Sequence, residues 1–286
     1  MPSLIDIRRR IRSVKNTQQI TKAMKMVSAA KLRRAQDKVI AARPYSKMLR
    51  EMLTNVAAAA GPEELADNPL LAVRERKNVL LIVITADRGL AGGFNGNLIK
   101  RALLFTREHP EWNFTFDLVG RKSRDFFRRR YKNISGELVG IFMKSPTYDN
   151  AKELAARVTD AYTEGKYDAV YVAVNEFKSV MAPNIAVNQL LPMEVPAGGT
   201  PVDYIYEQPP KDLLGKLVPR YVETTLYRSL LESAAAEHAS RMTAMDAASS
   251  NASDVIDSLT LYMNRVRQAA ITKEIIEIVS GAAALE

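Results

Sequence analysis

Residues 4–56 read LIDIRRRIRSVKNTQQITKAMKMVSAAKLRRAQDKVIAARPYSKMLREMLTNV, with no glycine and a single proline, Pro44. An unbroken ladder of positions, separated by alternating steps of four and three residues, runs through this stretch: Ile7, Ile11, Val14, Gln18, Thr21, Lys25, Ser28, Leu32, Ala35, Val39, Ala42, Ser46, Leu49, Leu53 and Val56. About seven heptads of this pattern predict a coiled-coil helix ~80 Å long, since three or four heptads already indicate one. Pro44 should kink the helix because it removes a backbone hydrogen bond, and Gly61-Pro62 should end it.

A second ladder with the same spacing lies near the C-terminus: Leu231, Ala235, His238, Met242, Met245, Ser249, Ala252, Ile256, Leu259, Met263, Val266 and Ala270. The helix that carries it should begin just after Pro209-Pro210, with Pro219 in or near an early turn. If it continues to about Gly281, its length is ~105 Å.

Two long helices at opposite ends of one chain, each with one narrow stripe, can satisfy each other by packing antiparallel. The middle of the chain is then inserted at one end of the pair. A repeat of about 3.5 residues predicts a left-handed supercoil. Two separate homodimeric coiled coils would need more partner chains and are the weaker hypothesis.

The predicted seam is polar or small over much of its length. Gln18, Thr21, Lys25 and Ser28 are consecutive ladder positions on one helix, and the other helix offers Ala235, Ser249 and Ala252. Such residues lower the stability of a coiled coil but define its register, and small ones permit close approach of the helices. A slim coiled coil of this kind indicates that another protein surrounds it.

The two ladders are unequal, so the C-terminal helix should project. If Ile7 lies near Val266, about 24 Å of helix from residue 271 onward has no partner helix. The ladder positions there become charged, and apolar residues surround much of the helix: Ile271, Ile275, Ile276, Ile278, Val279, Ala282 and Ala283. The pattern predicts a tip that sits in an apolar sleeve of another protein. The alternative is a helix docked on the chain's own core.

The middle of the chain has the pattern of a doubly wound α/β domain. Continuous apolar or β-branched runs predict strands, and amphipathic segments between them predict helices. The predicted strands are 79–85, 114–119, a short one near 137–142, and 169–175; the predicted helices are 98–108, 121–131 and 150–165. Residues 185–208 should return the chain to the coiled coil. The predicted class is α/β: residues 1–60 and 209–286 form the antiparallel coiled coil, and 77–208 form an inserted Rossmann-like domain.

Charge is concentrated in the first helix. The net charge is +9, yet residues 1–60 hold fourteen Lys and Arg against Asp6, Asp37 and Glu51, and the remainder has slightly more acids than bases. This asymmetry indicates an acidic partner for the N-terminal helix, with a solvated helix face as the simpler alternative.

Composition excludes several kinds of site. There is no cysteine, which excludes disulfides, thiolate chemistry and Cys-ligated zinc. His109 and His238 are the only histidines, so a His-rich metal site is excluded and no cofactor is expected. No apolar run is long enough for a transmembrane helix, and the N-terminus lacks the apolar core of a secretory signal, so we expect a reducing cytoplasm.

Residues 86–97, ADRGLAGGFNGN, follow the first predicted strand and precede a helix, where phosphate-binding loops lie. Their spacing fits neither G-x-G-x-x-G nor G-x-x-x-x-G-K-[ST], and no Lys-Ser/Thr pair follows. A tight turn between strand and helix needs the same glycines. Nucleotide binding is therefore the weaker interpretation of this loop.

The helix predicted at 121–131 is strongly basic: Arg121, Lys122, Arg124, Arg128, Arg129, Arg130 and Lys132. It could contact phosphates of a nucleic acid or a lipid, but a solvated face explains it more simply. No catalytic constellation emerges from the sequence.

Four stretches resemble the gamma-subunit family of bacterial F-type ATP synthases: 271–283 (ITKEIIEIVSGAA), 7–17 (IRRRIRSVKNT), 20–27 (ITKAMKMV) and 87–95 (DRGLAGGFN). They fall in all three predicted segments, so the resemblance spans essentially the whole chain. Ala91 departs from the family, in which many members carry cysteine there. Thiol regulation is therefore not expected.

The resemblance implies a mechanical, non-catalytic role. In that family one copy of the coiled coil threads a 3:3 hexamer of alpha and beta subunits, and its bare tip sits in an apolar bearing. The α/β domain forms a foot on the c-ring beside the epsilon subunit, at the cytoplasmic face of the plasma membrane. No transmembrane segment and no nucleic acid are involved.

The resemblance also implies roles for individual residues. Contacts with the beta subunit fall on Arg8, Arg9, Lys22, Arg267 and Gln268, of which the last two match residues that catch a beta loop. The bearing tip corresponds to Ile275, Ile276, Ile278, Val279 and Ala282. The foot surface facing the c-ring and epsilon corresponds to Tyr204, Tyr206 and Glu207.

Two alternatives of other classes stay open at this point. A nucleotide-binding α/β enzyme with a helical arm would bind ATP through residues 87–97. A basic coiled-coil binder of nucleic acid would use the arginines near the N-terminus and would depend steeply on salt.

Overall fold

The computed structural model describes residues 3–60, 65, 67–177, 179, 183–194 and 208–283. In chain order its elements are α1 (Leu4–Ala59), β1 (Asn78–Ile84), α2 (Phe94–Glu108), β2 (Asn113–Val119), α3 (Arg121–Phe127), β3 (Ile134–Leu138), a 3-10 helix (Ile141–Met143), α4 (Tyr148–Thr163), β4 (Ala169–Phe177), β5 (Pro183–Leu191) and α5 (Pro210–Ala283). They belong to two units. One comprises the segments up to Ser28 and from Met242 onward, and the other comprises Ala29–Arg241.

Helix α1 follows the predicted ladder. Each of its ladder positions from Ile7 to Val56 is buried or half-buried, and most residues between them are exposed. Pro44 lies inside the helix, which continues through it to Ala59. The heptad prediction is confirmed, whereas the kink expected at Pro44 stays a prediction.

Helix α5 follows the second ladder equally well, because every position from Leu231 to Ala270 is buried or half-buried. It begins at Pro210, close to the predicted start, and contains Pro219 in its third turn. Within the first unit the pairing is antiparallel: Thr21 contacts Ser249, and Lys25, one turn later, contacts Asp246, which lies earlier in α5.

The sheet has the order β3-β2-β1-β4-β5. The first four strands are parallel, as the doubly wound pattern predicted, but β5 runs antiparallel to β4. The interpretation of residues 185–208 as a return connection was therefore wrong for the part that forms β5. A short connection after Phe177 leaves no room for a crossover helix, so the next strand can pair only as a hairpin.

One predicted strand is shifted. The strand expected near residues 137–142 lies at Ile134–Leu138, and a 3-10 helix occupies Ile141–Met143. Gly140 separates them with a φ of 85°, a left-handed conformation that ends an extended strand. The second predicted helix also ends earlier than expected, at Phe127.

Both faces of the sheet are covered, which explains why β1 is apolar from Val79 to Ile84. Val79, Leu81 and Val83 pack with residues of α2 and α3. Leu80, Ile82 and Ile84 pack on the other face with α4, the last turns of α1 and the first turns of α5, including Leu214, Val218, Val222 and Leu226. In the Ala29–Arg241 unit, the C-terminal end of α1 and the N-terminal part of α5 thus share one core with the sheet.

Candidate functional site

A polar layer occupies the seam of the first unit. The hydroxyl oxygens of Thr21 and Ser249 are 2.7 Å apart and both residues are buried. Gln18 donates from Nε2 to the carbonyl oxygen of Ser249 at 3.4 Å, and Lys25 Nζ lies 2.6 Å from Asp246 Oδ1. Polar groups that meet at seam positions favour one register of the two helices.

Beyond Ala270 the C-terminal helix has no cover within the described chain. Every residue from 271 to 281 is exposed, including Ile275, Ile276, Ile278 and Val279, whose exposure lies between 54% and 72%. This matches the predicted projecting tip. Ala282 lies on the same helix.

The tip is less uniformly apolar than the sequence suggested. At about 100° per residue, its isoleucines and Val279 occupy an arc of ~160°. Lys273, Glu274 and Glu277 lie on the opposite side, which continues the seam face of the coiled coil, and Lys273 Nζ is 3.4 Å from Glu277 Oε1. The apolar face of α5 therefore changes sides at Ala270: it faces α1 before that residue and turns away after it.

The residues expected to contact a beta subunit are all solvent-exposed. On α1 these residues are Arg8, Arg9 and Lys22, which lie beside ladder positions. On α5 they are Arg267 and Gln268, which lie between the last two ladder positions, Val266 and Ala270. In the described part of the chain, none of these cations has a carboxylate within 4.0 Å. Their side chains are therefore accessible to a partner. Tyr204, Tyr206 and Glu207 lie outside the described residues.

The glycine-rich loop after β1 is organised around Asp87, whose side chain is buried. Its Oδ1 accepts hydrogen bonds from the backbone N–H groups of Arg121 and Gly140, and its Oδ2 accepts one from Phe142, each at 2.9 Å. Arg121 begins α3, so the Asp87 carboxylate caps that helix. Asp87 thus holds the loop to the start of α3 and to the turn at Gly140–Phe142, which is a structural role.

The same loop is attached to α5. Arg241 donates from Nη2 to the carbonyl oxygen of Gly89 at 3.1 Å and to Glu237 Oε1 at 2.7 Å. Ala91 and Phe94 pack with Ala236. Burial raises the pKa of Glu237, and the ion pair with Arg241 opposes that rise. Sequence reasoning missed this pair, although its i,i+4 spacing was a signal for it.

The basic segment predicted as a helix over residues 121–131 is helical only to Phe127. Arg128, Arg129 and Lys132 are exposed, whereas Phe127 is buried and Phe126 and Tyr131 pack against the sheet core. Because the aromatic rings point inward, the helix offers no stacking platform for bases. Of the two expected roles, the solvated face is the simpler one, and it stays a prediction.

Two further features are absent from residues 3–60, 65, 67–177, 179, 183–194 and 208–283. No group of three or more acidic or histidine side chains there could hold a metal ion. No helix in those ranges is both long and apolar enough to cross a membrane.

Comparisons with known proteins agree across the whole chain. A family model described as "ATP synthase" matches residues 3–285. The ATP synthase gamma chains of Solibacter usitatus and Pelotomaculum thermopropionicum are 62% and 54% identical to it, with 100% of each chain covered. A chain in a cryo-EM structure of the Euglena gracilis mitochondrial ATP synthase has the same fold, with a TM-score of 0.70, 18% identity, and coverage of 99% of this chain and 94% of that one. The chain belongs to the ATP synthase gamma chain family.

Proposed function

We propose that this chain is the rotating central shaft of an F-type ATP synthase. It couples proton-driven rotation of a c-ring to ATP synthesis or hydrolysis at a hexamer of alpha and beta subunits. Membership of the gamma chain family supports this role. The observation that carries it is the exposed apolar helix beyond Ala270, which a free protein would not present to water.

The coiled coil itself supports a role inside a sleeve. Its seam contains Thr21, Lys25 and Ser249 where a free-standing coiled coil would have leucine or isoleucine. The buried apolar area is correspondingly small, so contacts with surrounding subunits must supply part of the stability. Arg8, Arg9, Lys22, Arg267 and Gln268 are the residues proposed to make such contacts with beta subunits.

The role is coupling and not catalysis. A pair of unlike helices has no threefold symmetry, so each of three catalytic sites around it meets a different face. Each face stabilises a different conformation of the adjacent site, and rotation shifts those populations in sequence. The chain then needs no nucleotide site or cofactor of its own.

The other segments follow from this role. Residues 77–208 form the foot, and residues 1–60 and 209–286 form the shaft. Tyr204, Tyr206 and Glu207 face the c-ring and the epsilon subunit. The chain lies peripherally at the cytoplasmic face of the bacterial plasma membrane, with one copy in each complex.

The test is reconstitution of the full chain with alpha and beta subunits, followed by measurement of stoichiometry. One copy per 3:3 hexamer is expected. Arg267→Ala should weaken the coupling of hydrolysis to rotation, and Arg265→Ala, an equally exposed arginine two residues earlier, serves as the matched control. Failure to form a stoichiometric complex would contradict the proposal.

The two alternatives have separate tests. An α/β enzyme should bind ATP as an isolated chain, through the loop that precedes α2. A nucleic-acid binder should lose salt-dependent binding when Arg8, Arg9, Arg10 and Arg12 are neutralised. We expect neither binding of ATP through residues 87–97 nor a preference for nucleic acid over other polyanions.

A further inference from the structure

A cavity of about 320 Å³ lies in the Ala29–Arg241 unit, between α1, α5 and the turn after the 3-10 helix. Four cations line it: Lys31, Arg34 and Lys38 from α1, and Lys144 from the turn. We call this site, with Ser145 and His238, the basic cavity. Its apolar wall includes part of the ring of Phe142, which belongs to the sheet core.

The four cations of the basic cavity form no salt bridge within the described chain, although Lys31 interacts electrostatically with Glu237. None of the four cations has a carboxylate within 4.0 Å among those residues. Lys38 donates from Nζ to Ser145 Oγ at 2.8 Å, a neutral partner. The one acid in the lining, Glu237, is buried and already paired with Arg241. Side chains from two separate parts of the chain thus bring unpaired positive charge to one concave site.

His238 adds a second, independent feature. It lines the cavity, and its Nδ1 is buried without a hydrogen-bond partner among the described residues. Burial, and then the charges of Arg241 and Lys31, lowers the pKa of His238 to about 4. The imidazole is therefore neutral at pH 7. An anion bound beside it would offset the charges of Arg241 and Lys31 and so raise the pKa of His238.

We propose that the basic cavity binds a small multivalent oxyanion of the phosphate class, either free phosphate or pyrophosphate or the phosphate chain of a nucleotide. Lysine and arginine side chains bind phosphate oxygens through short charge-assisted hydrogen bonds. A volume of about 320 Å³ lies at the lower end of small-ligand pockets and suits such an ion. The site involves only this chain, so it does not depend on the proposed role as a shaft.

The first experiment is calorimetric titration of the full chain with pyrophosphate, at low ionic strength and in a buffer free of phosphate. Arg34→Gln should raise the dissociation constant of pyrophosphate about fivefold, because it removes one solvent-accessible ion pair. Arg33→Gln is the matched control, because Arg33 is the exposed neighbour on α1 that does not line the cavity. Equal weakening by both variants would mean diffuse attraction to the basic helix and would overturn the proposal.

The second experiment uses the two histidines as internal reporters in an NMR titration. The Cε1–H resonance of His238 should shift on addition of pyrophosphate, while that of His109, which stacks on Trp112 at 3.9 Å elsewhere in the domain, should not. Phosphate, pyrophosphate and ADP are compared in parallel. Tighter binding of pyrophosphate identifies the free ion as the ligand, and tighter binding of ADP identifies the nucleotide. If none of the three ligands shifts the His238 resonance selectively, the site is refuted. Circular dichroism of each sample is the control that the chain is folded.

Discussion

The hydroxyl groups of Thr21 and Ser249, 2.7 Å apart, form a buried hydrogen bond between the two long helices. Each hydroxyl also has an acceptor in its own helix: the carbonyl oxygen of Met245 lies 2.8 Å from Ser249 Oγ, and that of Gln18 lies 3.0 Å from Thr21 Oγ1. The bond between the helices therefore has a local competitor, which limits how much it can stabilise the pair.

A double-mutant cycle should measure this bond. Thr21→Val and Ser249→Ala are expected to show a coupling energy of about 0.5–1.5 kcal/mol, the usual net value of a hydrogen bond. Urea unfolding of the two single variants and the double variant provides the values. Thr17→Val is the control, because the Thr17 hydroxyl bonds only within α1, to Ser13. Coupling of the same size between positions 17 and 249 would contradict this interpretation.

Asp87→Ala should destabilise the α/β domain by about 3 kcal/mol or more, because it leaves three backbone N–H groups without an acceptor. Asp87→Asn keeps one acceptor oxygen and should cost less. Thermal unfolding followed by circular dichroism measures both. Arg88→Ala, at the exposed next position, should leave the melting temperature unchanged. A fully stable Asp87→Ala variant would show that the loop does not depend on this carboxylate.

Arg157→Met should destabilise the domain by about 3–5 kcal/mol. Arg157 donates from Nε and Nη2 to the two carboxylate oxygens of Asp117, which is fully buried. Burial raises the pKa of Asp117 and the arginine opposes that rise, so removing the arginine leaves an unpaired buried charge. The double variant Asp117→Leu/Arg157→Met should recover most of the loss in chemical denaturation. If the double variant is less stable than Arg157→Met alone, the loss of stability in Arg157→Met is not caused by the unpaired charge of Asp117.

Stability should depend on pH through His238. Its pKa is lowered to about 4 in the folded chain, so between pH 6.5 and 4 the unfolded chain binds a proton that the folded chain does not. The contribution is fully present above pH 6.5 and is lost as the pH falls, with a slope of up to about 1.4 kcal/mol per pH unit. The charged groups around it are Lys31, Arg241 and Glu237.

Urea unfolding at pH 7.5, 6 and 5 tests this dependence, with pH values spaced by about 1–1.5 units across the titration range of histidine. His238→Gln should flatten the curve relative to the unmodified chain. His109→Gln, at the only other histidine, should leave the slope in place. Identical curves for the unmodified chain and His238→Gln would show that the cause lies with other groups.

Substitutions in the tip should not affect the stability of the free chain. Ile278→Ser changes a side chain that is 72% exposed and should leave the melting temperature unchanged while lowering the binding of a hydrophobic dye. Ile7→Ser changes a side chain that is 2% exposed and should cost about 2–4 kcal/mol. Equal loss of stability in the two variants would indicate that the tip folds back on the chain in solution.

The periodicity of the long helices was predictable because burial in a two-helix seam is decided locally, every three or four residues. The ladder position Gln18 was correctly predicted to face the seam although it is polar, since its spacing and not its hydropathy placed it there. The turn of the apolar face at Ala270 was harder to foresee. It depends on the angles of individual side chains around one helix, whereas the prediction rested on composition.

The features that were missed depend on contacts distant in sequence. Strand β5 reads PNIAVNQLL, begins with a proline and has no regular alternation of apolar and polar residues, so it is recognisable as a strand only beside β4. The loop of Asp87 resembled a phosphate site because its local sequence is rich in glycine. Its structural role depends on hydrogen bonds from residues more than thirty positions later. The basic cavity likewise combines Arg34, Lys144 and His238, which no local pattern connects.

The exposed apolar face from Ile271 to Val279 also affects the abundance of the protein in the cell. In the role proposed above, other subunits cover that face; until they do, each newly made molecule exposes an apolar end that can associate with similar ends or be captured by chaperones and proteases. Surplus copies would then be removed as unassembled orphans. In this way the feature that seats the chain in its complex would also keep its abundance matched to that of its partners.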